Sequence, residues 1–364
     1  MVVAHHTARS ATGITAPISE LLQDGLDARV YPGAVWAAGD TGGRQASGAL
    51  GVLDPTDPSR PMTTDTVFDV ASLTKIMTVW ALTGMLWENG TLALDDPLAA
   101  LVPELDGYPV GHVTVYQLLT HTAGVPLHAN LRALYGTDPA AIRRGVLHEQ
   151  LHRPPGEAVE YTDRAALILG FLVEHLTGTG LDDIAHEHIW APLGMTETRF
   201  GPLSPHLAAR CAPTELDEQT GVHLKGVAHD FSARLLGGVC GIAGVFSTVT
   251  DTEKFLRYLL DPTVTSDAPD FGPAWVAESL QPHTGDLEPV RGLFWLPAPG
   301  TDPADDIYVH YGFTGTGMWI SPKQQRWAVL LTNKIYYSRE RQPLTGIRST
   351  FRELAFATEE AHHR

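Results

Sequence analysis

The sequence predicts an α+β fold: an antiparallel sheet flanked by N- and C-terminal helices, with an all-helical region inserted. Three observations carry this. Strand-like segments gather near the start and near the end of the chain. The long middle is patterned for helix. A helical segment closes each end. The expected division is a discontinuous sheet domain, residues 1–90 and 235–364, around a mainly helical insertion, residues 91–234.

Each element has a local reason. Ile18, Leu21, Leu22 and Leu26 keep helical spacing behind Pro17, which predicts a helix over 18–29 starting at the proline. Residues 31–39 and 44–52 read as strands joined by the turn Asp40-Thr41-Gly42-Gly43. Leu73, Ile76, Met77, Trp80, Leu82 and Leu86 predict a helix over 72–88 that stops at Asn89-Gly90. Thr114 with Gln117, and Thr250 with Glu253, have the spacing of capping boxes. Residues 164–176 form an apolar helix ending near Gly178, with Asp163 as its N-cap. The segments 291–297, 307–320 and 326–336 are rich in Trp, Tyr, Val and Ile and read as strands. Residues 343–360 close the chain as a helix. The stretches 261–272 and 297–306 are Pro/Asp/Gly-rich loops.

Composition narrows the function. The 364 residues carry 25 Lys plus Arg against 42 Asp plus Glu, a net charge of -17. Nucleic acid and anionic membrane both need a basic face, so neither is the expected partner. With 43% hydrophobic residues the chain has material for a large core. Cys211 and Cys240 cannot make a disulfide framework or a four-thiolate metal site. No stretch reaches the ~18 apolar residues of a membrane span, and the opening residues hold no signal-peptide run. A soluble, cytoplasmic protein is expected, and no motif calls for a metal or cofactor. His186-Glu187-His188 lacks the i, i+4 spacing of a zinc helix.

Three segments could carry chemistry. Ser72-Leu73-Thr74-Lys75 places a hydroxyl and an amine on one helical face. A serine is a weak nucleophile until a base takes its proton. With five lysines and thirteen serines, roughly 0.2 such matches arise by chance, and a capping Ser with a solvated Lys is the bland account. Tyr161-Thr162-Asp163 opens the apolar helix. A tyrosine there is either a half-buried anchor or, facing Lys75, a phenolate base. Tyr308 to Gly317 is a Gly-rich passage between strands. It lacks the Lys-Ser/Thr of a phosphate loop, and its glycines suggest close backbone approach.

In this order the three segments resemble the marks of the penicillin-recognising serine hydrolases. These are class C β-lactamases, D-alanyl-D-alanine peptidases, D-aminopeptidases and β-lactamase-like esterases. The marks Ser-x-x-Lys, Tyr-x-Asn and Lys/His-x-Gly correspond to Ser72–Lys75, Tyr161-Thr162-Asp163 and His310-Tyr311-Gly312. Leu118–Gly124, Pro155-Gly156-Glu157, Pro192–Met195 and Gly237–Ser247 add supporting phrases, and the likeness spans about residues 17–356. The resemblance implies Ser72 as the acylated nucleophile and Lys75 as its proton partner. It implies Tyr161 as general base and acid, and the backbone N–H groups of Ser72 and Phe313 as an oxyanion hole. Asp163, His310, Tyr311 and Gly312 would bind substrate, Gly312 by leaving room along an edge strand.

Two departures matter. Asp163 stands where the family keeps Asn, and could pair with Lys75 or favour a cationic substrate group. His310 stands where β-lactamases keep Lys, which implies ester or amide acyl transfer rather than efficient β-lactam hydrolysis. The leading expectation is a serine acyl-enzyme hydrolase of a small ester or amide. The alternatives are a transacylase with an amine acceptor and a catalytically inactive binding scaffold. Trp295, Tyr311, Phe313 and His128 are candidate pocket aromatics. His121 is expected to order a loop, and His229-Asp230 is a weaker candidate for the pocket.

Overall fold

The computed structural model describes residues 11–127 and 130–357, so His128 lies outside it. Its strands are β1 (Gly33–Asp40), β2 (Gly43–Gly51), β3 (Phe68–Asp69), β4 (Arg199–Phe200), β5 (Leu216–Asp217), β6 (Val222–His223), β7 (Val245–Ser247), β8 (Leu296–Pro297), β9 (Tyr308–Tyr311), β10 (Gly317–Ser321) and β11 (Arg326–Thr332). Six of them form one antiparallel sheet in the order β2-β1-β11-β10-β9-β8. Both chain ends therefore meet in it, with Trp36 opposite Leu330 and Trp319 opposite Val309.

Side chains alternate across this sheet, as the pleat requires. Trp36, Trp319 and Leu330 face the helices Ala11–Asp27 and Gln342–Phe356, packing with Ile14, Ile18, Leu22 and Phe351. Val35, Met318, Ile320, Val329 and Leu331 face the other way, into the larger core shared with the middle of the chain. Each fully buried large apolar side chain contributes about 1.5–3 kcal/mol, so burial on both faces holds the sheet between two layers.

Several boundaries differ from the sequence reading. Pro17 lies inside the first helix, which begins at Ala11 and buries Ile14, nearly a turn before the proline, as well as Ile18 and Leu22 after it. The segment 307–320 is two strands around a turn. Of 291–297 only Leu296–Pro297 pairs, since Phe294 takes a left-handed φ of 62° and turns its N–H to the Leu119 carbonyl. The helix Val249–Leu260 is capped by Thr248, two residues before the expected Thr250, while Glu253 pairs with Arg44. Trp295 is fully buried against Trp80 and belongs to the core. The capping box of Thr114 and Gln117 is present in full. No described helix is long and apolar enough to cross a membrane.

Candidate functional site

A three-stranded sheet, β3-β7-β4, delivers the chain to Ser72. Asp69 ends β3, and its carboxylate accepts the Ala71 N–H at 2.9 Å and the His229 N–H at 2.8 Å. The same carboxylate lies 2.9 Å from His229 Nδ1. Ala71 is held at φ 51°, a left-handed conformation costly for alanine. The chain then enters a 3-10 turn, Ala71–Leu73, and a π-helical turn, Lys75–Trp80, before the α-helix Ala81–Glu88. Non-α turns of this kind gather at functional sites. Trp80 closes the passage, buried among Phe271, Trp275 and Trp295 with its N–H on Ser279 Oγ.

Lys75 is fully buried and fully partnered. Its Nζ donates to Ser72 Oγ at 3.0 Å and to the Ile242 carbonyl at 2.9 Å, and lies 2.8 Å from Asp163 Oδ1. Burial disfavours the ammonium, but the Asp163 carboxylate above all, with Tyr161 acting in the same direction, outweighs it and holds Lys75 above its ordinary pKa. Desolvation of the oxygen that meets Lys75 raises the Asp163 carboxyl, although the rest of the side chain is open, and the charge of Lys75 outweighs it to leave Asp163 below its ordinary value. Gly241 makes the Ile242 contact possible: a Cβ there would overlap the Ala166 carbonyl of the neighbouring helix.

Asp163 is not the N-cap that the sequence reading assigned. Thr162 takes that role, accepting the Arg164 N–H at 3.1 Å, so Asp163 is free to reach Lys75. A buried ion pair of Arg164 with Glu149, at 2.7 Å, anchors this helix end. Tyr161 is 40% exposed at the cleft. Its ring centroid lies 5.5 Å from Lys75 Nζ, 5.4 Å from the Arg291 guanidinium carbon and 4.6 Å from the His121 ring. His121, as expected, orders the loop: its Nδ1 accepts the Thr162 N–H.

β9 supplies another wall. β8 pairs only with Tyr308 and Val309, so His310 stands past its end, 6.4 Å ring to ring from Tyr161. His310 is buried, and neither ring nitrogen has a partner among the described residues. Burial and the nearby Lys75 and Arg291 push its pKa well below the ordinary imidazole value, so it is neutral. The turn 312–316 is tied back to the nucleophile segment, Thr314 Oγ1 donating to the Asp69 carbonyl at 2.7 Å and Thr316 Oγ1 to the Val70 carbonyl at 3.0 Å. Neither the Ser72 nor the Phe313 N–H meets a backbone or side-chain acceptor among the described residues.

The beta-lactamase family model matches residues 18–348. The chain belongs to the beta-lactamase family. A "Putative D-alanyl-D-alanine carboxypeptidase" of Escherichia coli (strain K12) is 31% identical over 307 residues, 75% of this chain and 70% of that protein. Two solved structures share the fold. The class C beta lactamase of Rhodobacter sphaeroides superposes with a TM-score of 0.72 at 21% identity, covering 93% of this chain and 98% of the other. The simvastatin synthase (LovD) of Aspergillus terreus gives 0.72 at 24% identity, covering 93% and 97%. The resemblance to penicillin-recognising serine hydrolases therefore holds, and with it the α+β class.

In this beta-lactamase-family chain Ser72, Lys75, Asp163, Tyr161 and His310 are joined by a run of direct contacts, while Phe313 packs on His229, and two expectations are corrected. Tyr311 alternates away from His310 and packs edge-on to Trp319 beneath Arg348, on the sheet's helix-covered face. Gly312 leaves no room for substrate. A Cβ there would overlap Thr316 Oγ1 and lie 2.5 Å from the Val70 carbonyl, so the glycine serves backbone approach. Arg291, Asp69, Thr314 and Thr316 were not foreseen. Asp69 adjoins the Ser72 motif and Thr314 and Thr316 lie within the 308–317 segment, so these three were within reach of sequence reasoning and Arg291 was not.

Proposed function

We propose that the protein is a serine acyl-enzyme hydrolase of a small ester or amide. The observation that carries this is the Lys75 ammonium, held at 3.0 Å from Ser72 Oγ and paired with Asp163, with Tyr161 beside it. Ser72 Oγ bonds to the acyl carbon as its proton passes to Tyr161, which acts as a phenolate beside the Lys75 ammonium and becomes the neutral phenol. The carbonyl electrons move onto oxygen, facing the free N–H groups of Ser72 and Phe313. Collapse breaks the bond to the leaving alcohol or amine, which takes the proton from Tyr161. Water repeats the sequence and returns the proton to Ser72.

A fluorophosphonate or a slow ester should add its mass to Ser72, and not to the Ser72→Ala variant. Turnover in that variant should fall at least about 10⁴-fold. An unmodified wild-type mass would sink the reading. The half-open carboxylate of Asp163, 52% exposed on its side chain, favours a second reading in which an amine resolves the acyl-enzyme. Product analysis with added amines decides it, and conversion to acid alone rejects the transacylase.

A further inference from the structure

Asp69 reaches both segments that carry the free N–H groups, one through its side chain and the other through its backbone. Its carboxylate is fully buried. One oxygen accepts the N–H of Ala71, the residue before Ser72, at 2.9 Å. The Asp69 carbonyl accepts the hydroxyl of Thr314, the residue after Phe313, at 2.7 Å. The second carboxylate oxygen is given to His229. It accepts the His229 N–H at 2.8 Å and lies 2.9 Å from Nδ1, which carries its hydrogen there because a carboxylate only accepts. The His229 ring in turn stacks on Phe313, with centroids 6.0 Å apart and planes 17° apart. A closed circuit results, from Ala71 through Asp69 and His229 to Phe313, and from Thr314 back to Asp69.

The partners of this carboxylate set it apart. Among the described residues the other buried carboxylates, Glu149, Glu215, Asp251 and Glu253, each pair with an arginine or a lysine. Asp69 has a histidine and two backbone N–H groups instead, all beside the nucleophile or Phe313. Ala71 at φ 51° keeps a costly conformation only while its surroundings hold it, and the Asp69 carboxylate holds its N–H. Two N–H donors stabilise an oxyanion only when both stand about 2.7–3.1 Å from one oxygen. These two come from segments 245 residues apart, counted from Asp69 to Thr314, so what joins the segments sets the spacing. Thr316 Oγ1 on the Val70 carbonyl, at 3.0 Å, adds a second tie.

We propose that Asp69 and His229 are a positioning pair that fixes the spacing of the Ser72 and Phe313 N–H groups. Asp69 holds the residue next to each donor. His229 holds the Asp69 carboxylate and packs on the Phe313 ring. Both act through the backbone they fix. The pair rests on the reading of those N–H groups as an oxyanion hole in acyl transfer.

The test follows Ser72 acylation by 4-nitrophenyl acetate in rapid mixing, together with the inhibition constant of phenylboronic acid. Ser72 Oγ adds to that boron and leaves a boron hydroxyl where the oxyanion would stand. Thr314→Val keeps the shape and removes the hydroxyl tie. His229→Leu removes the partner of the carboxylate, and His229→Asn returns a donor near the place of Nδ1. We expect acylation and boronate affinity to fall together by about 10- to 100-fold in Thr314→Val and in His229→Leu, with KM changed less than about threefold. Thr314→Ser and His229→Asn should recover most of both. Should His229→Leu not fold, His229→Gln takes its part, because its amide stands nearer the place of Nε2. Tyr31→Phe is the control for lost stability: it removes a buried hydrogen bond to the Leu22 carbonyl on the helix-covered face of the sheet, and should lower the urea midpoint without moving either readout. Ser72-dependent acylation within about threefold of wild type in both Thr314→Val and the His229 variant overturns the pair and leaves acyl transfer standing. A loss carried by KM, one that spares the boronate, or one matched in Tyr31→Phe overturns the pair as well. A wild type that neither acylates on Ser72 nor binds the boronate overturns the acyl-transfer reading and the pair with it.

Discussion

The two walls of the cleft are built on opposite principles. Around Ser72 every charge is answered: Lys75 by Asp163, Ser72 and the Ile242 carbonyl, and Asp69 by His229 and the Ala71 N–H. Around Tyr161 the polar groups are left open: His310 with two unpartnered nitrogens, His121 Nε2 with none, Arg291 without a counter-ion. A fully partnered network is rigid and holds its geometry before substrate arrives. Unpartnered buried groups store a desolvation cost that a ligand can relieve. The Ser72 side is preset by its own contacts, while the side around Tyr161 keeps buried polar groups open to a ligand.

The sharpest way to break this comparison is to unpartner the first wall. Lys75→Met removes the proton partner of Ser72 and leaves Asp163 without its cation. The kcat for a small ester should fall by about 10²–10⁴-fold, the range of acid–base assistance, with KM changed far less. Rapid-mixing measurement of Ser72 acylation checks it, and a fall confined to KM would place Lys75 in recognition instead.

Asp163→Asn tests the same wall more gently by restoring the amide that the family keeps. A hydrogen bond to a charged group is worth about 1.5–3 kcal/mol, so kcat/KM should move by roughly 10- to 100-fold. The variant also carries a pH signature. A carboxyl held below its ordinary value contributes stability that is present above about pH 3.9 and lost as pH falls through its folded pKa. Denaturant titrations should show that acid loss in the wild type and less of it in Asp163→Asn.

Gly312→Ala probes the joint between the walls. The added methyl collides with Thr316 Oγ1 and the Val70 carbonyl, the contacts that tie the 312–316 turn to the nucleophile segment. Overpacking of this kind costs about 1–3 kcal/mol. Urea unfolding should show it as a lower midpoint at an unchanged slope. A neutral result would restore the view that Gly312 faces open substrate space.

What the sequence could show follows the same division. Ser72 and Lys75 lie three residues apart on one helical turn, so local periodicity places them together. The ring of Tyr161 meets Lys75 across 86 positions of chain, and only the family resemblance joined them. One-residue ambiguities were beyond reach: Thr162 and Asp163 are both good caps, and nothing local says which side chain turns inward. Thr248 and Thr250 pose the same problem. Arg291 carried no local signal, because its meaning comes from what is missing around it. The turn hydroxyls of Thr314 and Thr316 act 245 and 246 residues away in sequence.

The smallest effect lies in the histidines, and its sign separates the walls again. His121 and His310 are held well below the ordinary imidazole pKa by burial first, and then by Arg291 and Lys75. The unfolded chain takes up those protons near pH 6.5 while the folded one does not, so stability falls as pH drops below about 6.5. His229 runs the other way. Burial lowers it, but Asp69 outweighs burial and raises it, so its contribution is full below about pH 6.5 and is lost as pH rises through its folded pKa. One proton can tilt stability by at most about 1.4 kcal/mol per pH unit. Replacing His310 with Gln should flatten the acid limb between about pH 6.5 and 5. Replacing His229 with Gln should flatten the limb above it. Chemical denaturation across pH for both variants checks the pair. If His310→Gln leaves the acid limb unchanged, the Tyr161 wall is not the site of that stored cost.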